Sequence, residues 1–189
     1  MAAIDSQHSQ NSTRAARAPH DPLAAPQLAA RLEEEVARAE RHHTALSCLL
    51  VGLDEVEHLA QTHGAELPAQ ALAYFAAALA PELRRFDRVG HPTEGELLVV
   101  LPGADERRGE IVARRALGRL HAIKLDIQGR RLPLRVSMGI AAWHDGLTAE
   151  QLLSLTRLAA KRGETSGERP AEQSQQPHGT GEGQPVRRR

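Results

Sequence analysis

The stretch RRFDRVGHPTEGELLVVLPG, residues 84–103, decides the fold. Two pieces suited to extended chain, residues 86–89 and 96–101, flank a centre holding Gly90, Pro92 and Gly95. Glycine and proline supply the backbone angles a reversal needs, so the stretch reads as a β-hairpin. Asp105 stands where it can cap a helix over ERRGEIVARRALGRLHAI. Upstream, PAQALAYFAAALAPEL (residues 68–83) is Ala-rich and helical. Pro68 is tolerated in the first turn, and Pro81 ends or bends the helix.

Working outward, PQLAARLEEEVARAERHH carries Leu28, Leu32, Val36 and Ala39 at helical spacing, an amphipathic helix with one buried stripe. ALSCLLVGL, residues 45–53, is a short apolar run that suits a strand covered on both faces. A helix is expected to begin at Asp54 and to close on Gly64. Downstream, KLDIQGRRLPLRVSMGIAAW reads as a second hairpin around Gln128 and Gly129, its long arm at residues 134–143. Thr148 and Gln151 form a capping box at the entry of the last helix. The order α β α α β β α β β α predicts an α/β (α+β) domain, a central sheet covered by helices.

The chain has 189 residues, enough for one domain plus tails, with 24 basic and 24 acidic side chains. A formal charge of zero argues against a nucleic-acid binder, so no nucleic-acid partner is expected. Only two of the basic residues are Lys, and no function follows from that. With four aromatic residues, the core must be built from Leu, Ala and Val. One cysteine, Cys48, excludes an intramolecular disulfide and a cysteine-based zinc site. The histidines lack the spacing of a metal site, and no metal or cofactor is expected. No apolar run approaches the roughly 18 residues of a membrane span, and the N-terminus lacks a signal-peptide core, so a cytoplasmic location is expected. Residues 1–20 and 164–189 are too polar to offset their ordering entropy and are expected to be disordered tails around a domain at 21–163. Arg187, Arg188 and Arg189 could touch an anionic surface, but three charges are few, and a solvated tail is expected.

The order and several local strings resemble the GGDEF domain of diguanylate cyclases, which condense two GTP into cyclic di-GMP on a palm-like, ferredoxin-related scaffold. CLLVGLDEV is similar to the family's strand and turn ending in D-x-D-x-F. RRFDRVGHPTEGELLVVLPG resembles R-x-x-D, five residues, GGDEF, a strand and LPG. LRVSMGIAAW followed by GLTAEQLL is similar to the S-x-G-x-A strand and T-x-E-x-L-L helix entry. The resemblance covers nearly all of residues 21–163.

It implies that the signature pentapeptide falls on Thr93, Glu94, Gly95, Glu96 and Leu97. The family's two magnesium carboxylates then fall on Gly52 and Gly95, and glycine has no side chain to offer a hard cation. The phosphate-contacting Lys becomes Glu57 and the guanine-reading Asn becomes Ala60; Lys161 is matched to a late phosphate-contacting Lys. The chain is therefore expected to be catalytically inactive.

The family's inhibitory site is R-x-x-D, whose Arg and Asp clasp cyclic di-GMP, often with an arginine from the helix after LPG. Here those positions are Arg84, Asp87 and Arg115. A guanidinium forks onto phosphate oxygens or the guanine acceptor edge, and a carboxylate takes guanine N–H donors. In an arginine-rich chain the same residues also suit a solvated helix end, a hairpin cap and an exposed helix face. Two functions follow: a cyclic di-GMP effector using these three residues, or a protein-interaction module that binds no nucleotide. A residual cyclase is the third. The 189 residues show no recognisable receiver, phosphodiesterase or membrane sensor, so output is expected through a protein partner or a homodimer.

Overall fold

In the computed structural model, residues 20–121, 125–127, 130–132 and 134–167 are described. The expected tails fall, for the most part, outside these residues. Helix α1 (Ala25–His42) leads into strand β1 (Leu46–Leu53), then helices α2 (Val56–His63) and α3 (Leu67–Leu79) and a 3-10 turn at Ala80–Glu82. Strands β2 (Arg88–Gly90) and β3 (Glu96–Pro102) form the first hairpin. Helix α4 (Glu106–His121), strands β4 (Leu125–Ile127), β5 (Arg130–Leu132) and β6 (Val136–Ala142), and helix α5 (Ala149–Gly167) complete the fold.

The main sheet runs β2-β3-β1-β6, with every neighbouring pair antiparallel. Alternation along β1 splits the core in two. Leu49, Val51 and Leu53 face α2, α3 and α4 together with Leu72, Phe75 and Leu97. Cys48 and Leu50 face the other way, among Leu28, Leu32, Leu98 and Leu152. The buried stripe of α1 is the expected one: Leu28, Leu32, Val36 and Ala39. Burial pushes the Cys48 thiol up to about 12, so it is inert.

Local signals settle most element ends. Gly64 closes α2 with positive φ, its N–H donating to the Ala60 carbonyl at 3.0 Å. The Arg108 N–H donates to Asp105 Oδ1 at 2.8 Å at the start of α4. Thr148 and Gln151 make the reciprocal bonds of a capping box at 2.9 and 3.2 Å. Pro81 ends α3 in a 3-10 turn.

Four expectations are corrected. The strand expected at 86–89 starts at Arg88, because Asp87 is taken up bracing the turn before it. The helix expected from Asp54 starts at Val56, after Glu55 in the left-handed region (φ 54). The arm at residues 134–143 does not pair within the second hairpin: β4 and β5 pair only with each other, around the expected Gln128–Gly129 turn, which lies outside the described residues. Instead β6 joins the main sheet beside β1, because its small residues Ser137, Gly139 and Ala141 let a helix lie flat on it. That helix, α5, runs to Gly167 rather than stopping at 163.

Candidate functional site

The ends of β1, β3 and β6, the start of α2 and the second half of α5 surround a cleft of about 1150 Å³. Gly52, Glu57, Thr93, Glu94 and Gly95 all line it, whereas Ala60, also singled out for lost catalysis, does not. The register places Gly52 opposite Glu96 on β3 and opposite Ser137 on β6, so the three share a row on the α5 side of the sheet. A Cβ added at Gly52 would lie 2.5 Å from Ser137 Oγ, and one at Gly95 would lie 2.6 Å from Val56 Cγ2. The space a carboxylate would enter is therefore already held. Ser137 can rotate its hydroxyl away, but Val56 is β-branched and stiff at χ1.

Glu96 survives from the signature pentapeptide and is bound by a side chain that sequence reasoning missed. Arg157 of α5 forks onto it, with Nε donating to Oε1 at 2.9 Å and an Nη donating to Oε2 at 2.6 Å. This hydrogen bond to Glu96 raises the Arg157 pKa further. The signal for Arg157 lay in its spacing, one turn before Lys161 on the same helix face. The cleft also carries Asp54, Glu55, Arg135 and Lys161.

These residues do not fit the family's magnesium pair. Positions 52 and 95 offer no side-chain oxygen, and Glu96 is committed to Arg157. Among the described residues no cluster of three or more His, Cys, Asp or Glu side chains is arranged to hold a metal ion.

Arg84 and Asp87 lie elsewhere, in the turn before β2, and neither lines the cleft. Arg84 is exposed, whereas Asp87 is only 3% exposed. One Asp87 oxygen accepts the Arg84 backbone N–H at 2.7 Å. Burial raises the Asp87 pKa, opposed by that hydrogen bond and by the nearby positive charge of Arg84. The side chain next to it, Phe86, is 69% exposed. Arg115 is exposed on α4. One turn on, Arg119 pairs with Glu82 at 2.8 Å, so this helix lies against the 3-10 turn that leads to Arg84.

The family model described as diguanylate cyclase, GGDEF domain, matches residues 26–169. The chain belongs to the GGDEF family. Its fold matches the diguanylate cyclase SiaD of Pseudomonas aeruginosa, crystallised in complex with its activator SiaC, at TM-score 0.70 and 24% identity. That match covers 76% of this chain and 55% of SiaD, so the chain spans about half the length of that relative. The active GGEEF domain of a Vibrio cholerae diguanylate cyclase matches at TM-score 0.68 and 17% identity, covering 78% of this chain and 94% of that one. The GGDEF domain of DgcB from Caulobacter crescentus, crystallised in complex with c-di-GMP, matches at TM-score 0.66 and 16% identity, covering 80% and 88%. At these identities the solved structures show a shared fold. No curated protein matches the chain.

Within this GGDEF domain the cleft and the R-x-x-D turn are separate places. No helix among the described residues is long and apolar enough to cross a membrane.

Proposed function

We propose that this GGDEF domain is a signalling module that does not make cyclic di-GMP. The observation that carries the reading is the pair of glycines at 52 and 95, each with its Cβ direction taken by a neighbouring side chain. Glu57 adds to it, because a carboxylate at the rim repels the phosphates that a GTP-condensing cleft must hold. Incubating the purified chain with GTP and Mg²⁺ or Mn²⁺ is expected to yield no cyclic di-GMP. Product above a blank overturns the proposal and restores the residual-cyclase reading.

A second reading, a cyclic di-GMP effector, is supported by α4 lying against the 3-10 turn. The Arg119–Glu82 pair brings the helix that carries Arg115 towards the segment that carries Arg84. The burial of Asp87 reassigns its part: it braces the turn while Arg84 and Arg115 meet phosphate. Calorimetry with cyclic di-GMP is expected to give a micromolar Kd, on the order of −8 kcal/mol. Arg84→Ala should weaken binding by about 1.5–3 kcal/mol, the scale of a charge-assisted hydrogen bond. Arg115→Ala should weaken it less, because Arg114 stands beside it. No heat of binding at about 100 μM ligand, far above a micromolar Kd, leaves the protein-interaction module. The partner is then a protein or a second copy of the chain.

A further inference from the structure

We propose that the cleft is a docking groove for the chain's own arginine cluster, Arg187, Arg188 and Arg189, with Glu57 and Glu94 as its receptors. The proposal rests on the reading of the cleft as catalytically silent, since a cleft that held GTP would have to hold phosphate where these two carboxylates stand.

The groove measures about 1150 Å³, and its lining carries five carboxylates, Asp54, Glu55, Glu57, Glu94 and Glu96, against three cations, Arg135, Arg157 and Lys161. Glu96 is matched by Arg157, and Glu55 lies 3.9 Å from Arg135. Glu57 and Glu94 are exposed, and neither forms an ion pair among the described residues. Both line the cleft, and the residues beside them touch: a Cβ at Gly95 would sit 2.6 Å from Val56 Cγ2. Two exposed carboxylates on one cleft, neither in an ion pair among the described residues, suit guanidinium groups, which fork onto carboxylates with two parallel hydrogen bonds. The lining also includes the apolar side chains of Leu53, Leu134 and Met138. That surface takes the methylene stems of arginines whose heads stay at the wet rim.

Covalent connection favours this chain's own cluster as the occupant. Arg157, Ala160 and Lys161 of α5 line one side, and the helix ends a little beyond, at Gly167. Arg187 lies 20 residues further, and that length of chain can span at most roughly 65–70 Å. Tethering raises the effective concentration of such a segment to the millimolar range, so contacts too weak to hold a free peptide suffice.

The test places a nitroxide on Gln184→Cys in the full chain; the buried Cys48 takes no label. Paramagnetic broadening of backbone amides is then read across the domain. The expected result is selective loss of the amide signals of Glu57, Glu94 and Gly95, with those of Arg38 and Glu40 on α1 retained. The loss should disappear in 1 M salt, where screening acts within about 3 Å. It should also disappear in the Glu57→Gln/Glu94→Gln variant and in the Arg187→Gln/Arg188→Gln/Arg189→Gln variant, the second of which leaves the domain untouched. Uniform broadening, or selective broadening that survives both variants, overturns the proposal. So does the same broadening in isotope-labelled chain mixed with spin-labelled, isotope-free chain, which would mean a second copy supplies the arginines. Adding GTP and Mg²⁺ to unlabelled protein is read separately: nucleotide turnover there overturns the silent-cleft reading, whatever the broadening shows.

Discussion

Asp87 shows how one residue can carry two readings in sequence and one duty in the fold. Its carboxylate accepts the Arg84 N–H, and its burial raises its pKa above the usual 3.8. A raised carboxyl pKa means the native state binds more protons than the unfolded chain in the interval just above 3.8. Stability from this group is therefore fully present below that interval and is lost as pH rises through the folded pKa. Asp87→Asn keeps an acceptor for the Arg84 N–H and removes the buried charge. Its unfolding free energy should equal or exceed wild type at pH 7 and lose this part of the pH slope, as denaturant titrations at pH 4 to 7 would show. Asp87→Ala, which orphans the N–H, should cost about 1–2 kcal/mol. At Gly52 and Gly95 the prediction runs the other way. Gly52→Asp/Gly95→Asp should lower the thermal midpoint and still yield no cyclic di-GMP, because Ser137 and Val56 must give way.

Between elements, the seam of α5 on β6 depends on a missing side chain. A Cβ at Gly139 would run into the Ala160 backbone N and come within 2.5 Å of the Thr156 carbonyl O. Backbone cannot swing aside as a side-chain tip can, so Gly139→Ala should destabilise by about 1–3 kcal/mol or more, measured by chemical denaturation. The Arg157–Glu96 fork ties the same helix to β3 at the cleft mouth. Both partners are part-exposed, so solvent screens the pair, and a double-mutant cycle with Arg157→Ala and Glu96→Ala should return a coupling of about 1 kcal/mol that falls with added salt.

On the scale of the molecule, the chain entering α1 closes the β2 side of the sheet. Leu23 N–H donates to the Val89 carbonyl at 2.8 Å, and His91 N–H donates back to the Leu23 carbonyl at 2.9 Å. His20 Nε2 lies 2.9 Å from the Arg84 carbonyl, so the same strap reaches the R-x-x-D turn. A chain beginning at residue 20 should keep the wild-type thermal midpoint, whereas one beginning at residue 26 should lose several degrees, about the effect of 1–2 kcal/mol in a domain this size. Equal midpoints for the two would show that the strap contributes nothing.

Much of the fold was legible because its signals are local. Apolar spacing named α1 and β1, and capping residues such as Asp105 and Thr148 marked where helices begin, since a helix end must satisfy its own backbone groups. Order and motif spacing also sufficed to point to the GGDEF family and to the glycines at 52 and 95. What sequence could not give were the contacts between segments far apart in the chain. Pairing of β6 with β1 rather than within the second hairpin depends on which helix can lie on Gly139. The Arg157 fork onto Glu96 joins residues 61 positions apart. Burial of Asp87 is likewise a property of its packed surroundings, so sequence alone left it open whether that carboxylate faces a ligand or braces a turn. Periodicity and capping act within a few residues, whereas the positions that shape the cleft are set by packing across the sheet. Only the tertiary structure shows that the Cβ directions at Gly52 and Gly95 meet neighbouring side chains and that Glu57 and Glu94 line the same cleft.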